Sequence, residues 1–162
     1  MFKIGDLAVY PAHGVGIIES IEKKELSGET KDFYAMRILE NGMLIFIPIE
    51  NAKAIGLRPV VSQEEVPKIY SILKEKPLSV IDPEKNHNKR YRELVERLKT
   101  GSIFDVATLL RDLAVLKEEK GLSYSEKKLM DTACRLLVTE IAIAKKCDPE
   151  EVEVEIKQIL SL

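Results

Sequence analysis

The glycines of this 162-residue chain are distributed unevenly, and this distribution limits the fold more than any other feature. Six of the eight lie in residues 1–60, among short segments in which apolar and polar residues alternate, whereas residues 61–162 hold only Gly101 and Gly121. Alternation with a period of two indicates strands, and glycine-containing turns join short strands. In the second part apolar residues recur every three or four positions, as in amphipathic helices. The sequence therefore predicts an α+β protein with two domains, 1–60 and 61–162.

The first part is predicted to fold as a small, strongly bent β-barrel of short strands. The alternation places strands over 7–10, 15–22, 33–39 and 43–48. Asn41-Gly42 is the strongest hairpin signal, and Gly14 and Gly16 permit a positive φ or a close approach of two backbones. Large apolar residues around the hairpin either fill the barrel or leave an edge that can pair with a partner's strand. They are Met36, Met43, Phe46 and Ile47.

The second part is predicted to be a compact bundle of five helices. Ser-x-x-Glu sequences at 62–65 and 123–126 match the capping box that opens a helix, and Ser102 with Asp105 is a weaker version. Asp148 followed by Pro149 predicts another helix start, with a capping acid and a proline at the first helical position. A further helix is predicted over 89–100, ending before Gly101.

Charge excludes a protein that coats nucleic acid with a wholly basic surface. The chain has 25 basic and 27 acidic residues, a net charge of −2, so any nucleic-acid contact must be local. Residues 85–99, which begin with Lys85, are the most asymmetric segment, with six basic and two acidic residues. On a helix that packs through Tyr91, Leu94 and Leu98, these cations face outward along two flanks. One flank holds Lys89, Arg92 and Lys99, and the other holds Arg90 and Arg97.

Two interpretations of this segment stay open on charge alone. The cations can neutralise phosphates and release counterions, or they can form a solvated helix face with internal ion pairs. The adjoining Asn86-His87-Asn88 is equally open, since either asparagine can cap the helix. His87 is then either a plain solvent-facing residue or a ring that stacks on a base or enters the minor groove of DNA.

No motif of a catalytic or metal site is present. His13 and His87 lie in different predicted domains, and the chain lacks a P-loop, a nucleophile elbow, an HExxH sequence and paired carboxylates. We therefore expect no enzyme, no cofactor and no metal ion. Cys134 and Cys147 lack metal or redox spacing and indicate reduced thiols. The absence of signal-peptide character and of a long apolar run predicts a cytoplasmic protein without membrane contact.

Several short sequences occur in a recognisable order along the chain. The first domain contains G-D-x-x-V-Y-P-x-x-G-V-G at 5–16, I-L-E-N-G-M at 38–43 and I-P-I at 47–49. The second contains R-Y-R-E at 90–93, K-T-G-S at 99–102, L-R-D-L at 110–113, L-S-x-x-E-K at 122–127 and A-x-x-L-L at 133–137. In this order and spacing, the chain resembles the CarD/CdnL family of bacterial transcription regulators over essentially its whole length.

The resemblance implies a Tudor-like first domain that binds the β subunit of RNA polymerase by strand pairing. Met36, Phe46 and Pro48 are then expected on the polymerase-binding surface, with Lys24 nearby. Such a small barrel can also exchange strands between protomers, so a domain-swapped dimer is the alternative to the monomer that we expect.

The resemblance also implies that the helical domain contacts promoter DNA at the upstream edge of the transcription bubble, near the −10 region. Lys89, Arg90 and Arg92 then hold the positions of the family's basic contacts to the phosphate backbone and minor groove. His87 replaces the family's usual wedge, a tryptophan, and imidazole is smaller and stacks less well than indole. With the rest of the basic segment, the expected DNA-facing residues are His87, Asn88, Lys89, Arg90, Arg92, Arg97 and Lys99.

The expected function is therefore regulation of transcription without catalysis. One domain would hold RNA polymerase, and the other would stabilise the open promoter complex by contacts that do not read sequence. The protein would then associate with the nucleoid through the polymerase. The alternative is an adaptor whose helical domain binds another protein instead of DNA.

Overall fold

The computed structural model describes residues 1–76 and 86–162, so Lys85 of the basic segment lies outside the described residues. The chain divides into two compact units, Met1–Val60 and Val61–Leu162. The first is built around a sheet and the second from helices, and they are called the β unit and the helical unit.

The β unit is an antiparallel sheet whose four strands follow one another in chain order. A register shift between Ile18 and Ser20 bends the second strand and helps the sheet to curl. The sheet is an open half-barrel, because its first and last strands do not pair with each other within the described ranges. The four strands confirm the predicted ones, with the second and third extending further toward Ser27-Gly28. They are β1 (Leu7–Tyr10), β2 (Gly14–Leu26), β3 (Glu29–Ile38) and β4 (Leu44–Pro48).

One face of this sheet packs into the core of the β unit. Gly16 is needed there, because a Cβ at this position would lie 2.6 Å from Cε of Met36 and 2.8 Å from the carbonyl oxygen of Arg37. Gly14 adopts a positive φ of 99°, which is the other role predicted for these two glycines. The buried cluster consists of Ala8, Ile18, Tyr34, Met36, Ile38, Ile47, Ala52 and Leu57.

A short helical segment follows β4 and ends the unit. A 3₁₀ turn at Ile49–Asn51 leads into α1 (Ala52–Ile55). Arg58 then pairs with Val9 of β1, with backbone N···O distances of 2.7 and 3.2 Å. This bridge covers part of the β1 edge, whereas β4 forms a ladder only with β3 in the residues that the structure describes.

The helical unit contains five α-helices and one 3₁₀ turn in its described part, in agreement with the predicted five-helix bundle. The 3₁₀ turn at Gln63–Glu65 leads directly into the first of these helices. The two longest helices, α4 and α5, supply most of the buried side chains. The helices are α2 (Val66–Lys74), α3 (His87–Lys99), α4 (Ile103–Glu119), α5 (Tyr124–Lys145) and α6 (Pro149–Leu160).

The three predicted capping boxes have different outcomes. At the start of α5 both bonds form: the Glu126 N–H donates to Oγ of Ser123 at 3.2 Å, and the Ser123 N–H donates to Oε1 of Glu126 at 3.0 Å. Ser62 makes no cap, because its hydroxyl donates instead to the Glu65 carboxylate at 3.1 Å. Ser102 also makes no side-chain cap bond at α4. The predicted boxes that begin at these two serines are therefore wrong.

Candidate functional site

The face of the sheet opposite the core carries the first candidate surface. Leu44, Phe46 and Pro48 share this face of β4, because side chains alternate along a strand. Leu44 is 37% exposed and Phe46 is 38% exposed. Since β4 is also a free edge within the described residues, it offers backbone groups and apolar side chains to a partner's strand.

Lys24 and Phe46 meet on this face. Nζ of Lys24, on β2, lies 3.4 Å from the centroid of the Phe46 ring, which is the geometry of a cation–π contact. Pro48 lies on the same face, opposite Phe33 in the register of β3 and β4. Three of the four residues expected at the polymerase surface are thus neighbours on one side of the sheet.

The fourth, Met36, is not part of this surface. Its side chain is 0% exposed and lies against Gly16 in the core. Ala35 is the residue of β3 that stands opposite Phe46, so the next side chain along the strand points to the other face. The expectation that the Met36 side chain lies on the polymerase-binding surface is therefore wrong. Ile47, which is 1% exposed, also fills the core.

The second candidate surface is the outer flank of α3. The two buried leucines of this helix face the bundle, and Lys89, Arg92 and Lys99 are exposed on the side away from them. Lys99 lies 3.9 Å from a carboxylate oxygen of Glu96 in an exposed pair. Neither Lys89 nor Arg92 forms a salt bridge with any residue in 1–76 or 86–162. This flank is a row of outward-facing cations that an anionic partner can approach.

Arg90 faces the inside of the bundle instead. Its Nε donates to Oε2 of Glu126 at 3.0 Å, and its Nη2 lies 3.0 Å from the same oxygen in an ion pair. The Arg90 side chain is 16% exposed and the Glu126 side chain is 1% exposed. A carboxylate buried to this extent is stable only with a charged or hydrogen-bonding partner. The expectation that Arg90 is an outward-facing cation is therefore wrong, because its charge is paired with Glu126 inside the bundle, while its contact with DNA stays a prediction.

The Glu126 carboxylate is held in its ionised form. Burial by itself raises the pKa of Glu126, but the hydrogen bonds from Ser123 and the charge and hydrogen bonds of Arg90 outweigh burial. The pKa of Glu126 is therefore lowered from its ordinary value of 4.5. Oε1 of the same carboxylate lies 3.7 Å from Nε2 of His87. Glu126 thus joins the cap of α5 to two side chains of the first turn of α3.

Arg97 repeats this arrangement two turns further along α3. Its Nη1 donates to Oδ2 of Asp112 on α4, whose side chain is 8% exposed. Nε of Arg111 donates to the other oxygen of the same carboxylate at 3.1 Å. Arg97 is therefore paired with Asp112 and is not a free cation, although 39% of its side chain is exposed. The whole flank that holds Arg90 and Arg97 is directed at carboxylates of α4 and α5.

The first turn of α3 begins two residues earlier than predicted. Oδ1 of Asn86 accepts a hydrogen bond from the Lys89 N–H at 2.8 Å, so Asn86 is the cap. Asn88 therefore lies inside the first turn, where it is exposed. The His87 side chain is 47% exposed. The structure brings His87, Asn88 and Lys89 together in one exposed turn at the end of the helix.

Sequence reasoning missed Glu126 and Asp112 as partners of the basic segment. The sequence identifies Glu126 only as a capping residue and gives no role to Asp112. One signal was available: Arg90 and Arg97 lie seven residues apart beside the apolar stripe, where a cation that becomes buried requires a buried acid. Their partners are on other helices, so the pairing itself follows only from the packing.

The described residues contain no group of three or more His, Cys, Asp or Glu side chains that could hold a metal ion. Cys134 and Cys147 are free thiols, and burial raises the pKa of Cys134. In residues 1–76 and 86–162, no helix has the length and apolar character needed to cross a membrane.

Comparison with known protein families accounts for both units. Residues 2–61 match the CarD-like/TRCF RID domain, and residues 68–157 match the CarD C-terminal domain. The chain belongs to the CarD family. This membership confirms the resemblance and makes the β unit of this CarD-family protein an RNA-polymerase-interacting domain. The two-unit architecture, with its Tudor-like half-barrel and helical unit, is that of the family.

A relative of similar length agrees with this membership, and two solved structures resemble part of the chain. The protein called "Putative transcription factor YdeB" of Bacillus subtilis (strain 168) is 35% identical over 153 residues, which cover 94% of this chain and 98% of YdeB. The NMR structure of the N-terminal domain of Myxococcus xanthus CarD is 36% identical and covers 36% of this chain and 79% of its own, with a TM-score of 0.33. CdnLNt from Myxococcus xanthus is 52% identical and covers 38% and 87%, also with a TM-score of 0.33.

Proposed function

We propose that this CarD-family protein stabilises the open promoter complex, with the β unit bound to the β subunit of RNA polymerase and the helical unit in contact with promoter DNA. The observation that carries the proposal is the separation of the cations of α3. Arg90 and Arg97 are each paired with a buried carboxylate, whereas Lys89, Arg92 and Lys99 are exposed together on the other flank. Three cations on one side of a helix can neutralise consecutive phosphates without reading bases.

The exposed edge of the β unit supports the polymerase contact. A strand from the polymerase β subunit can add to β4, since this edge has no ladder partner other than β3 in the described residues. Phe46 and Pro48 would supply the apolar contacts, with Lys24 placed over the Phe46 ring. A partly exposed aromatic side chain beside a free edge is typical of residues that dominate binding free energy.

Tethering explains why the DNA surface can be small. Once the β unit is bound, the helical unit is present at the promoter at a high effective concentration, so modest affinity for DNA is sufficient. The contact changes the balance between closed and open complexes only if it is stronger in the open one. We assign that preference to His87 and Asn88 in the exposed first turn of α3, where the ring would enter the minor groove beside the melted bases.

Charge reversal of the outer flank tests the proposal. Lys89→Glu with Arg92→Glu is compared with Lys68→Glu combined with Lys74→Glu, which makes the same charge change at exposed lysines of α2. We expect the α3 variant to shorten the lifetime of the open complex and to reduce the slope of log affinity against log salt by about 0.9 for each phosphate that the protein no longer neutralises. The α2 variant is expected to behave like the unchanged protein in both measurements.

Polymerase capture is measured in parallel with immobilised polymerase. We expect capture to be equal for the unchanged protein and both variants, since the β unit is untouched. An open-complex lifetime that is the same in the α3 variant as in the unchanged protein would refute the DNA contact. Capture of polymerase without any effect of the unchanged protein on promoter opening would instead support the adaptor alternative.

A further inference from the structure

The amino-terminal turn of α3, residues 87–90, lacks an apolar anchor. The buried residues of α3 are Leu94 and Leu98, both in the later part of the helix. His87 and Lys89 are exposed, and Arg90 is the one side chain of this turn that is directed inward, to Glu126. The turn that carries the proposed DNA contacts is therefore held against the bundle mainly by polar contacts to a single carboxylate.

Glu126 is suited to hold this turn in place. Its side chain is fixed at one end by the Ser123 N–H, which donates to Oε1 at 3.0 Å, and by its place at the start of α5. Its other oxygen accepts a hydrogen bond from Nε of Arg90 and lies 3.0 Å from Nη2 of the same guanidinium, and Oε1 also lies 3.7 Å from Nε2 of His87. A carboxylate fixed in this way restricts Arg90 and the His87 ring together.

We propose that Glu126 is a positioning residue for DNA binding, acting through His87 and Arg90 on the first turn of α3. The inference rests on the proposed function, since it names the residue that orients the proposed DNA-contacting turn. Glu126 touches no DNA itself. It keeps the turn ordered before binding, so that less conformational entropy is lost when His87 and Lys89 meet the promoter.

The central variant is Glu126→Gln. The amide oxygen of glutamine can still accept the Ser123 N–H, so the cap of α5 can persist while the charge that holds Arg90 is removed. Asp112→Asn is the matched control, because it removes a buried charge opposite Arg97, which lies nearly three helical turns from His87. Ser123→Ala is the second control, since it removes the hydroxyl half of the capping box and leaves Arg90 paired.

Two measurements are made on each full-length variant. The NMR signal of the His87 ring and the hydrogen exchange of the amides at 90–92 report the position and order of the turn in the free protein. The open-complex lifetime with saturating polymerase reports the consequence for DNA. Arg90→Lys, which keeps the charge but replaces the planar guanidinium with an ammonium, tests the same contact if Glu126→Gln does not fold.

In Glu126→Gln we expect the His87 signal to move, amide exchange at 90–92 to accelerate and the open-complex lifetime to fall about fivefold or more. Asp112→Asn and Ser123→Ala are expected to leave the His87 signal in place and to change the lifetime less than Glu126→Gln does. Equal reductions of lifetime in Glu126→Gln and Asp112→Asn would overturn the proposal, and so would an unmoved His87 signal in Glu126→Gln. If the unchanged protein has no effect on promoter opening, the proposed function fails, and the NMR measurements alone decide whether Glu126 positions the turn.

Discussion

Arg90 on α3 and Glu126 on α5 form an ion pair in which Nε donates to one carboxylate oxygen at 3.0 Å and Nη2 lies 3.0 Å from the same oxygen. Arg92, two residues further along α3, is exposed. The two arginines are thus close in sequence but differ in what surrounds them, and this difference leads to opposite expectations for their substitution.

Substitution of Arg90 is expected to affect folding, and substitution of Arg92 is not. Arg90→Ala leaves a buried carboxylate without its charged partner, which costs about 3–5 kcal/mol of unfolding free energy. Arg92→Ala removes an exposed cation and is expected to change the unfolding free energy by about 0.5 kcal/mol or less. Urea denaturation followed by far-ultraviolet circular dichroism measures both, since the helical unit gives most of the signal. Similar midpoints for the two variants would contradict the burial of the Arg90–Glu126 pair.

Acid is expected to destabilise the helical unit through Glu126. The pKa of this carboxylate is lower in the folded protein than its ordinary value of 4.5, so the ionised form is the one that folding favours. Its contribution to stability is therefore complete above the unfolded-state pKa and is lost as pH falls through the folded-state pKa. Thermal denaturation at a series of pH values below about 5 should show this decline as the pH falls from the ordinary carboxyl range toward the lower folded-state pKa. Glu126→Gln should be less stable at neutral pH and decline less steeply, and an unchanged slope would argue against this carboxylate as a source of acid sensitivity.

Gly16→Ala is expected to destabilise the β unit. The new methyl group would lie 2.6 Å from Cε of Met36 and 2.8 Å from the carbonyl oxygen of Arg37, and overpacking of this kind costs about 1–3 kcal/mol. Combining it with Met36→Ala removes the side-chain clash but leaves the backbone clash. The double variant should therefore not regain the stability of Met36→Ala alone in urea denaturation. Full recovery to that level would mean that the carbonyl can move away at little cost.

Phe46→Ala is expected to weaken polymerase binding. If Phe46 is a central contact, its truncation costs about 2 kcal/mol or more, which corresponds to a dissociation constant raised roughly thirtyfold. Leu26→Ala is the matched control, because Leu26 is 50% exposed but lies at the end of β2, away from the β4 edge. Surface plasmon resonance with immobilised polymerase compares them. Equal affinities of the two variants for polymerase would show that Phe46 does not contribute to the polymerase contact.

His87→Trp is expected to lengthen the lifetime of the open complex. The His87 side chain is 47% exposed in the first turn of α3, so a larger ring can be accommodated toward solvent. Indole offers a larger and less hydrated stacking surface than imidazole, and stacking on a base contributes about 1–3 kcal/mol. Promoter-melting fluorescence with polymerase measures the effect. A shorter lifetime in His87→Trp would argue against a ring in the minor groove.

The sequence by itself determined most of the local structure of both units, apart from the caps expected at Ser62 and Ser102 and the start of α3. The β strands follow from alternation and from Asn41-Gly42, and the starts of α5 and α6 follow from Ser123 with Glu126 and from Asp148 with Pro149. These features depend on residues within a few positions of one another, so the short-range pattern contains the required information. The order and spacing of the family's motifs identified an RNA-polymerase-interacting domain followed by the family's helical domain, and the family comparison confirms both.

Only the tertiary structure decided which residues of each candidate surface are available to a partner. Met36 belongs to the same apolar set as Phe46 in the sequence, but the register of β3 and β4 directs it into the core. Arg90 and Arg92 both belong to one basic run, yet the packing of α5 on α3 places a buried carboxylate beside the first and none beside the second. The buried charge of Glu126 depends on Arg90, which is 36 residues away in the chain, and only the tertiary fold brings the two side chains together.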